Sequence, residues 1–380
     1  MTAATSPLDF RPYFASVEDP RIHRSKRHQL MDILFISVAA TLAGADGPSD
    51  IADFAREKLD WCRKFVPLEQ GAPSHDTIGR VLALIKPAQF QQAFLDWIAS
   101  FVSESAEDGK PRFVPIDGKT LCGSGGAKHR NGPLHLVSAW ATKQGLTLGQ
   151  VAVDSKSNEI TAIPKLLQML ELSGAIVSID AMGCQKEIAR QIINGGGDYV
   201  LAVKDNQPKL MEALREFFTE RHEQADFADH DCRRQTTSER SRGRDEERTF
   251  IIAPLPDSMS HLGREWKGLL SIGQVITTTV CGGQQTSEVR YYISSRPPRV
   301  GEFATSVRGH WSIESMHWVL DVVLGEDASR LRNGDVAESF GFLRKFVISL
   351  LKRDTSRGSL RSKRKRAAWN TNFLEKLLFS

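Results

Sequence analysis

Asp117, Asp180 and Glu314 sit where carboxylates can do chemistry. Asp117 closes the apolar run 113–116 in FVPIDGKT, Asp180 closes 176–179 in IVSIDAMG, and Glu314 stands in RGHWSIESMHW. An apolar run ending in an acid and a small residue is how a buried strand delivers a carboxylate to the edge of a sheet. An ionised group left unpaired beside such strands costs several kcal/mol, so it calls for a partner. Two strand ends and one helix supplying oxygen ligands suit a hard cation, Mg²⁺ or Mn²⁺, and hence metal-assisted phosphoryl chemistry. The intervals, 63 residues from Asp117 to Asp180 and 134 from Asp180 to Glu314, require a site assembled by the whole fold. A calcium loop would gather its ligands within about twelve residues.

The elements that must position these acids follow from periodicity and turn signals. Residues 1–105 read as all-helical, with an apolar stretch at 30–42 and an amphipathic helix at 49–65 capped by Ser49. Ser74 caps a helix to 85, and Pro87 opens another to about 102. The turn at 69–74 makes this pair either a helix-turn-helix or part of a bundle packed on the catalytic segment. Residues 104–112 read as a linker. Beyond it come a strand at 113–116, a hairpin of 134–142 with 146–154, a helix at 160–172 and a strand at 175–179. A helix at 185–194 and a strand at 199–203 complete the series. Three strands, helix, strand, helix, strand is the order of the ribonuclease-H-like fold, whose first and fourth strands are neighbours, so Asp117 and Asp180 would meet. Residues 230–300, arginine-rich and then strand-like at 249–252, 271–280 and 288–293, read as a mainly β insertion.

Fold class is therefore α/β, a ribonuclease-H-like core with a β insertion behind a helical N-terminal domain. The expected divisions are 1–105, 110–350 and a basic tail at 351–380. On a helical wheel of 309–325, at about 100° per residue, Ile313, Met316, Val319, Leu320, Val323 and Leu324 form the apolar face. His310, Glu314, His317 and Asp321 form a polar stripe, flanked by Trp311 and Trp318, which could stack bases or shield the site from water.

Composition narrows the class. Of 380 residues, 41% are hydrophobic and 25% charged, as in ordinary soluble domains. No apolar run reaches about 18 residues and MTAATSPLDF lacks the order of a signal peptide, so a cytoplasmic protein is expected. The five cysteines are scattered without a CxxC, which suggests neither a disulfide framework nor a zinc site. Net charge is only +4, but basic residues cluster at 21–28 and at 351–366, where eight Lys and Arg face one acid. Beside a phosphoryl-transfer site these runs read as phosphate contacts, with Lys363, Arg364, Lys365 and Arg366 foremost.

The pieces IDGKTLCGS, SIDAMGCQKEIA, GGGDYVLAVKDNQP and RGHWSIESMHWVLDVVLGEDASRLR resemble the H-repeat-associated branch of DDE-type insertion-sequence transposases. DPRIHRSKRHQLMDIL and LDWCRKFVPLEQGAPSHDT extend the resemblance over nearly the whole chain. It implies a ribonuclease-H-like core, two divalent metals, and cutting and joining of double-stranded DNA at transposon ends, by a homodimer in the DNA complex. Carried over, the catalytic and metal-binding triad is Asp117, Asp180 and Glu314, with Asp117 as bridging ligand. Lys119 is a candidate phosphate contact, as are Lys204, Asn206 and Gln207 at the close of the fifth strand. The Tyr, Arg and Lys that accompany the last acid in related cut-and-paste transposases are replaced here by Val307, His310 and Asp321, and Ser315 stands for an expected Asn. Arg308 and His310 are candidate substitutes in contacting DNA, with Trp311 beside them. Ser124 reads as a turn residue, residues 123–126 lack a Walker A Lys, and Cys184 and His129 receive no role. Two rivals stand beside this reading: a nuclease of the same fold, and a DNA-binding protein derived from a transposase and catalytically idle.

Overall fold

The computed structural model describes residues 9–22, 26–102, 111–124, 133–143, 145–153, 159–224, 232–241, 243–331 and 334–379. His129 and most of the expected linker fall outside them.

One mixed sheet organises the catalytic half. β1 (Arg112–Thr120), β2 (His135–Ala141) and β3 (Leu146–Val153) form an antiparallel meander. After α7 (Glu159–Gln168) the chain enters β4 (Ala175–Ile179), which pairs parallel with β1 on its other side. α8 (Lys186–Asn194) then leads to β5 (Asp198–Val203), parallel to β4. Side chains alternate along a strand, so Val114, Ile116, Val177 and Ile179 point to one face and pack with α7 and α8. Asp117 and Asp180, one step on, point to the other.

The residues expected as a β insertion join the main sheet. After α9 (Pro208–Gln224), β6 (Arg233–Ser241), β7 (Arg244–Pro254), β8 (Ser271–Cys281) and β9 (Gln284–Ser294) form a meander, and β9 pairs antiparallel with β5. The result is one nine-stranded sheet in the order β3-β2-β1-β4-β5-β9-β8-β7-β6. The arginine-rich stretch read as a polar interruption is itself the edge strand β6. Its side chains are almost all solvated, so they carry none of the apolar alternation that marks a half-buried strand.

α11 (Val300–Leu324) crosses the face opposite α7 and α8. It starts well before residue 309, because Phe303, Ala304 and Val307 bury against Ile176, Val200 and Tyr292. It stops at Gly325, whose φ of 60° suits a residue without Cβ.

The N-terminal helices are α1 (Arg11–Phe14), α2 (Leu30–Leu42), α3 (Pro48–Glu57), α4 (Leu59–Cys62), α5 (His75–Leu84) and α6 (Pro87–Val102). Ser74 caps α5 by accepting from the Thr77 N–H, as expected. Ser49 caps nothing: Gly47 is the N-cap, Pro48 takes the first turn, and the helix breaks at Lys58. α5 buries Ile78, Val81 and Leu82 and packs on α3 and on α12 (Gly334–Arg353).

The basic tail is a further correction. Residues 360–379 form α13 (Leu360–Trp369) and α14 (Thr371–Phe379), which close the same core as the N-terminal helices and α12. Phe373, Leu374, Leu377 and Leu378 are buried there, and side chains of this size each stabilise by about 1.5–3 kcal/mol when buried. Trp61 Nε1 donates to Glu375 Oε1 at 2.8 Å across that core. The run of Lys and Arg masked this apolar spacing. Among the described residues no helix is long and apolar enough to cross a membrane.

Candidate active site

The register places the first two acids. Ile116 pairs with Ile179 in the parallel β1–β4 ladder, so Asp117, inside a β1 that runs on to Thr120 beside β2, and Asp180, just past β4, lie side by side on the face that α11 covers. Glu314 reaches them from α11. All three line one cavity of about 180 Å³, together with Ser178, Lys204, Arg290, Tyr292, His310 and Trp311.

The acids differ electrostatically. Burial alone would raise the Asp117 carboxyl, but His317, His310 and the Gly118 N–H hold it below its ordinary value. His317 Nδ1 is 3.4 Å from Asp117 Oδ2, and Gly118 N donates to Oδ1 at 2.9 Å. Asp180 is pushed up, first by burial and then by the negative charges of Glu159 and Asp117. Its Oδ1 accepts from Met182 N at 3.2 Å, which caps the short turn after β4. His310 is pushed down by burial and lies 3.3 Å from Ser178 Oγ through Nδ1. Burial also pushes the Tyr292 phenol up to about 12, so it stays protonated at the cavity wall.

Glu159, which sequence reasoning missed, is a fourth carboxylate here. It opens α7, and His135 Nε2 lies 2.7 Å from its Oε1, while His135 Nδ1 lies 2.8 Å from Thr120 Oγ1. This pair lies over Gly118, where a Cβ would run into both side chains. The only local signal was an acid at a helix start just after a hairpin.

Several expected contacts are engaged elsewhere. Lys119 does not face the cavity opening: its Nζ binds Asp321, Glu326 at 2.8 Å and Asp327 at 3.3 Å. Facing α11 on the same side as Asp117, it meets the acids at the end of that helix rather than phosphate. Asn206 Nδ2 donates to Ala181 O at 2.7 Å and Gln207 Nε2 to Cys184 O at 2.9 Å, so both brace the turn that carries Asp180. Lys204 alone of that trio is exposed at the cavity. Arg308 pairs with Glu239 on β6, and Arg248 lies 4.3 Å over the Trp311 ring. His310 is held inside the acid cluster.

The C-terminal cations divide similarly. Lys363 is buried, with its ammonium on the Leu351 and Asp354 carbonyls and the Asp354 carboxylate. Arg364 donates to Thr41, Ala45 and Val323 carbonyls and to Asp46 Oδ1 at 2.7 Å. Arg366 stacks 3.9 Å over Phe373. Only Lys365 of the four is exposed. Three cations expected on phosphate therefore hold the C-terminal helices together, because the chain folds back where a tail was expected. At the other basic cluster, Asp19 engages both Arg21 and Lys26.

Among the described residues no three His, Cys, Asp or Glu groups already form a set that could hold a metal ion. The donor chemistry still fits a hard cation: carboxylate oxygens share one cavity, and Asp180 faces the negative charges of Glu159 and Asp117.

A nine-stranded α/β sheet that brings acids of β1, of the turn after β4 and of a crossing helix into one cavity is the arrangement expected of a DDE-type protein. The comparisons agree: the family described as "Transposase DDE domain" matches residues 108–368, and that described as "DDE_Tnp_1-associated" matches 12–98. The chain belongs to the DDE transposase family. Within it the chain falls in the H-repeat-associated branch. It is 39% identical over 372 residues to the "H repeat-associated putative transposase YhhI" of Escherichia coli K12, covering 96% of each chain. It is 40% identical over 374 residues to the "Putative transposase YncI" of Escherichia coli O157:H7, covering 97% of this chain and 94% of that one. A solved synaptic complex of the piggyBac transposase with hairpin DNA aligns at a TM-score of 0.40 and 10% identity, covering 100% of this chain and 80% of that one.

Proposed function

We propose that this transposase cuts and joins DNA strands at the ends of its insertion sequence, with Asp117, Asp180 and Glu314 holding two divalent cations, Mg²⁺ or Mn²⁺. The observation that carries the reading is the β1–β4 register, which sets Asp117 beside Asp180 in a cavity that Glu314 shares. The strand order β3-β2-β1-β4-β5, antiparallel then parallel, supports reading the core as ribonuclease-H-like with β6–β9 inserted before α11.

Bound cations would activate an attacking water or 3′-hydroxyl and stabilise the leaving oxygen. The protein's own groups prepare for that. Asp117, held below its ordinary pKa, is ionised at any working pH, and His317 and Gly118 fix its two oxygens. Asp180 gives up its proton reluctantly, so cation binding and proton loss there are coupled. His310, pushed down by burial, packs among the acids and favours the ionised forms of Asp117 and Asp180. Lys204 at the cavity wall is placed to meet a phosphate. The helices of 1–105 would serve as a DNA-binding platform, and a homodimer would let two active sites work on two ends.

Incubating the purified protein with insertion-sequence end duplexes and Mg²⁺ should give cuts at the element boundary. Cleavage of RNA–DNA hybrids with the end duplexes left intact would instead assign it to the nucleases. DNA binding with no cleavage in either metal would assign it to idle, transposase-derived proteins.

A further inference from the structure

The exposed stripe of α11 does not end at the acids. Trp318 and Val322 follow Glu314 at steps of four residues, on nearly one side of the helix, and expose 61% and 48% of their surface. Val322 then forms one wall of an open groove of about 350 Å³ whose other wall is α13, with Arg361, Lys365 and Trp369. Trp369 is 77% exposed. Arg361 and Lys365 are both solvated, with no ion pair among the described residues. Trp318 stands one turn of α11 before Val322, and Trp369 lines the groove with Val322, so the two exposed indoles neighbour the same residue.

The chemistry of that patch is specific. Arg361 and Lys365 are one turn apart on α13, so their charges lie along a line. Trp318 and Trp369 offer flat apolar rings beside that line. Duplex DNA keeps its base faces inside the stack, whereas an unpaired strand presents both phosphates and base faces, which cations and aromatic rings bind together. The helical rise from Glu314 to Val322 is about 12 Å.

We propose that Trp318, Val322, Arg361, Lys365 and Trp369 bind an unpaired DNA strand continuous with the strand held at Asp117, Asp180 and Glu314. This rests on the reading of those acids as a DNA-cleaving site and adds the path the strand follows beyond them. Arg361 and Lys365 hold phosphates, and the two indoles stack bases.

The test compares a blunt insertion-sequence end duplex with the same duplex carrying a short single-stranded overhang, by fluorescence anisotropy in metal-free buffer. The intact protein should favour the overhang by roughly tenfold or more, the scale of one stacked base. Trp318→Ala with Trp369→Ala should abolish that preference and leave blunt-duplex affinity unchanged, and the Trp→Tyr pair should restore most of it. Arg361→Ala with Lys365→Ala should flatten the salt dependence of overhang binding by about 0.7 for each lost contact, while Lys209→Ala with Arg264→Ala leaves the slope in place. All these positions are exposed, and matching thermal melts will show that each variant is folded. Absence of an overhang preference in the intact protein, or its persistence in the Trp→Ala pair, would overturn the groove. If cleavage of end duplexes proceeds meanwhile, the acid site stands and the groove alone fails. Overhang preference without any metal-dependent cleavage would keep the groove and sink the acid site.

Discussion

Lys119 Nζ lies 2.8 Å from Glu326 Oε2, joining the strand of Asp117 to the turn that ends the helix of Glu314. Asp321 and Asp327 share the same ammonium, and Glu326 is almost wholly buried with its Oε1 unpartnered among the described residues. Arg344 and Lys345 of α12 bring compensating charge, and burial lowers the Lys345 ammonium to about 8. The cluster fixes α11 against β1, and with it the relation between two of the three acids.

Lys119→Met should therefore destabilise the fold by about 3–5 kcal/mol, because it strands the buried Glu326 carboxylate without its nearest counter-charge. Urea unfolding measures this directly. Lys119→Arg keeps the charge and should retain more of the stability. An unchanged midpoint in the Met variant would remove the cluster from any account of how the site is held.

Asp180→Asn should abolish Mg²⁺-dependent strand cleavage and leave duplex binding nearly intact. The change removes one ligand charge, whereas affinity for duplex DNA comes mainly from cations on the surface. Gel assays of cutting and of binding on one protein preparation separate the two effects. Cleavage at the normal rate with the normal metal requirement would refute the assignment.

The same substitution has a pH signature without metal. Asp180 is raised in the folded state, so its stabilising contribution is complete below the ordinary value of 3.8 and is lost as pH rises through the folded value. In metal-free buffer Asp180→Asn should melt above the unaltered protein at pH 7, and the gap should close toward pH 3.8. Adding Mg²⁺ at pH 7 should raise the melting temperature of the unaltered protein only. A gap independent of pH would mean that Asp180 is not under the charge of its neighbours.

Gly118→Ala should force Glu159 or His135 out of place, since the new methyl group meets both side chains. Overpacking of this kind costs about 1–3 kcal/mol. Adding Glu159→Ala to Gly118→Ala should recover part of the loss, measured as a double-mutant cycle in urea. Strict additivity would show that Gly118 and Glu159 do not touch.

The sequence by itself marked the strands around Asp117 and Asp180 and singled out the three acids, but it did not mark β6. Apolar runs of four or five residues ending in Asp117 and Asp180 are local signals, and alternation along a strand decides which face each acid takes. The polar stripe of His310, Glu314, His317 and Asp321 follows equally from the helical period. Tertiary structure alone decided what those stripes meet. Lys119 faces three acids and not phosphate, Asn206 and Gln207 bind the turn after Asp180, and Lys363, Arg364 and Arg366 tie α13 to the core. A cation's partner depends on which segments fold against it, and Arg364 is more than 300 residues from Thr41 in the chain. Glu159 is hidden for the same reason: it comes over Gly118, and its charge reaches Asp180, only because α7 starts over that part of β1. The β insertion likewise became part of one sheet through the β5–β9 ladder, made of backbone hydrogen bonds that no side-chain pattern in β6 or β9 announces.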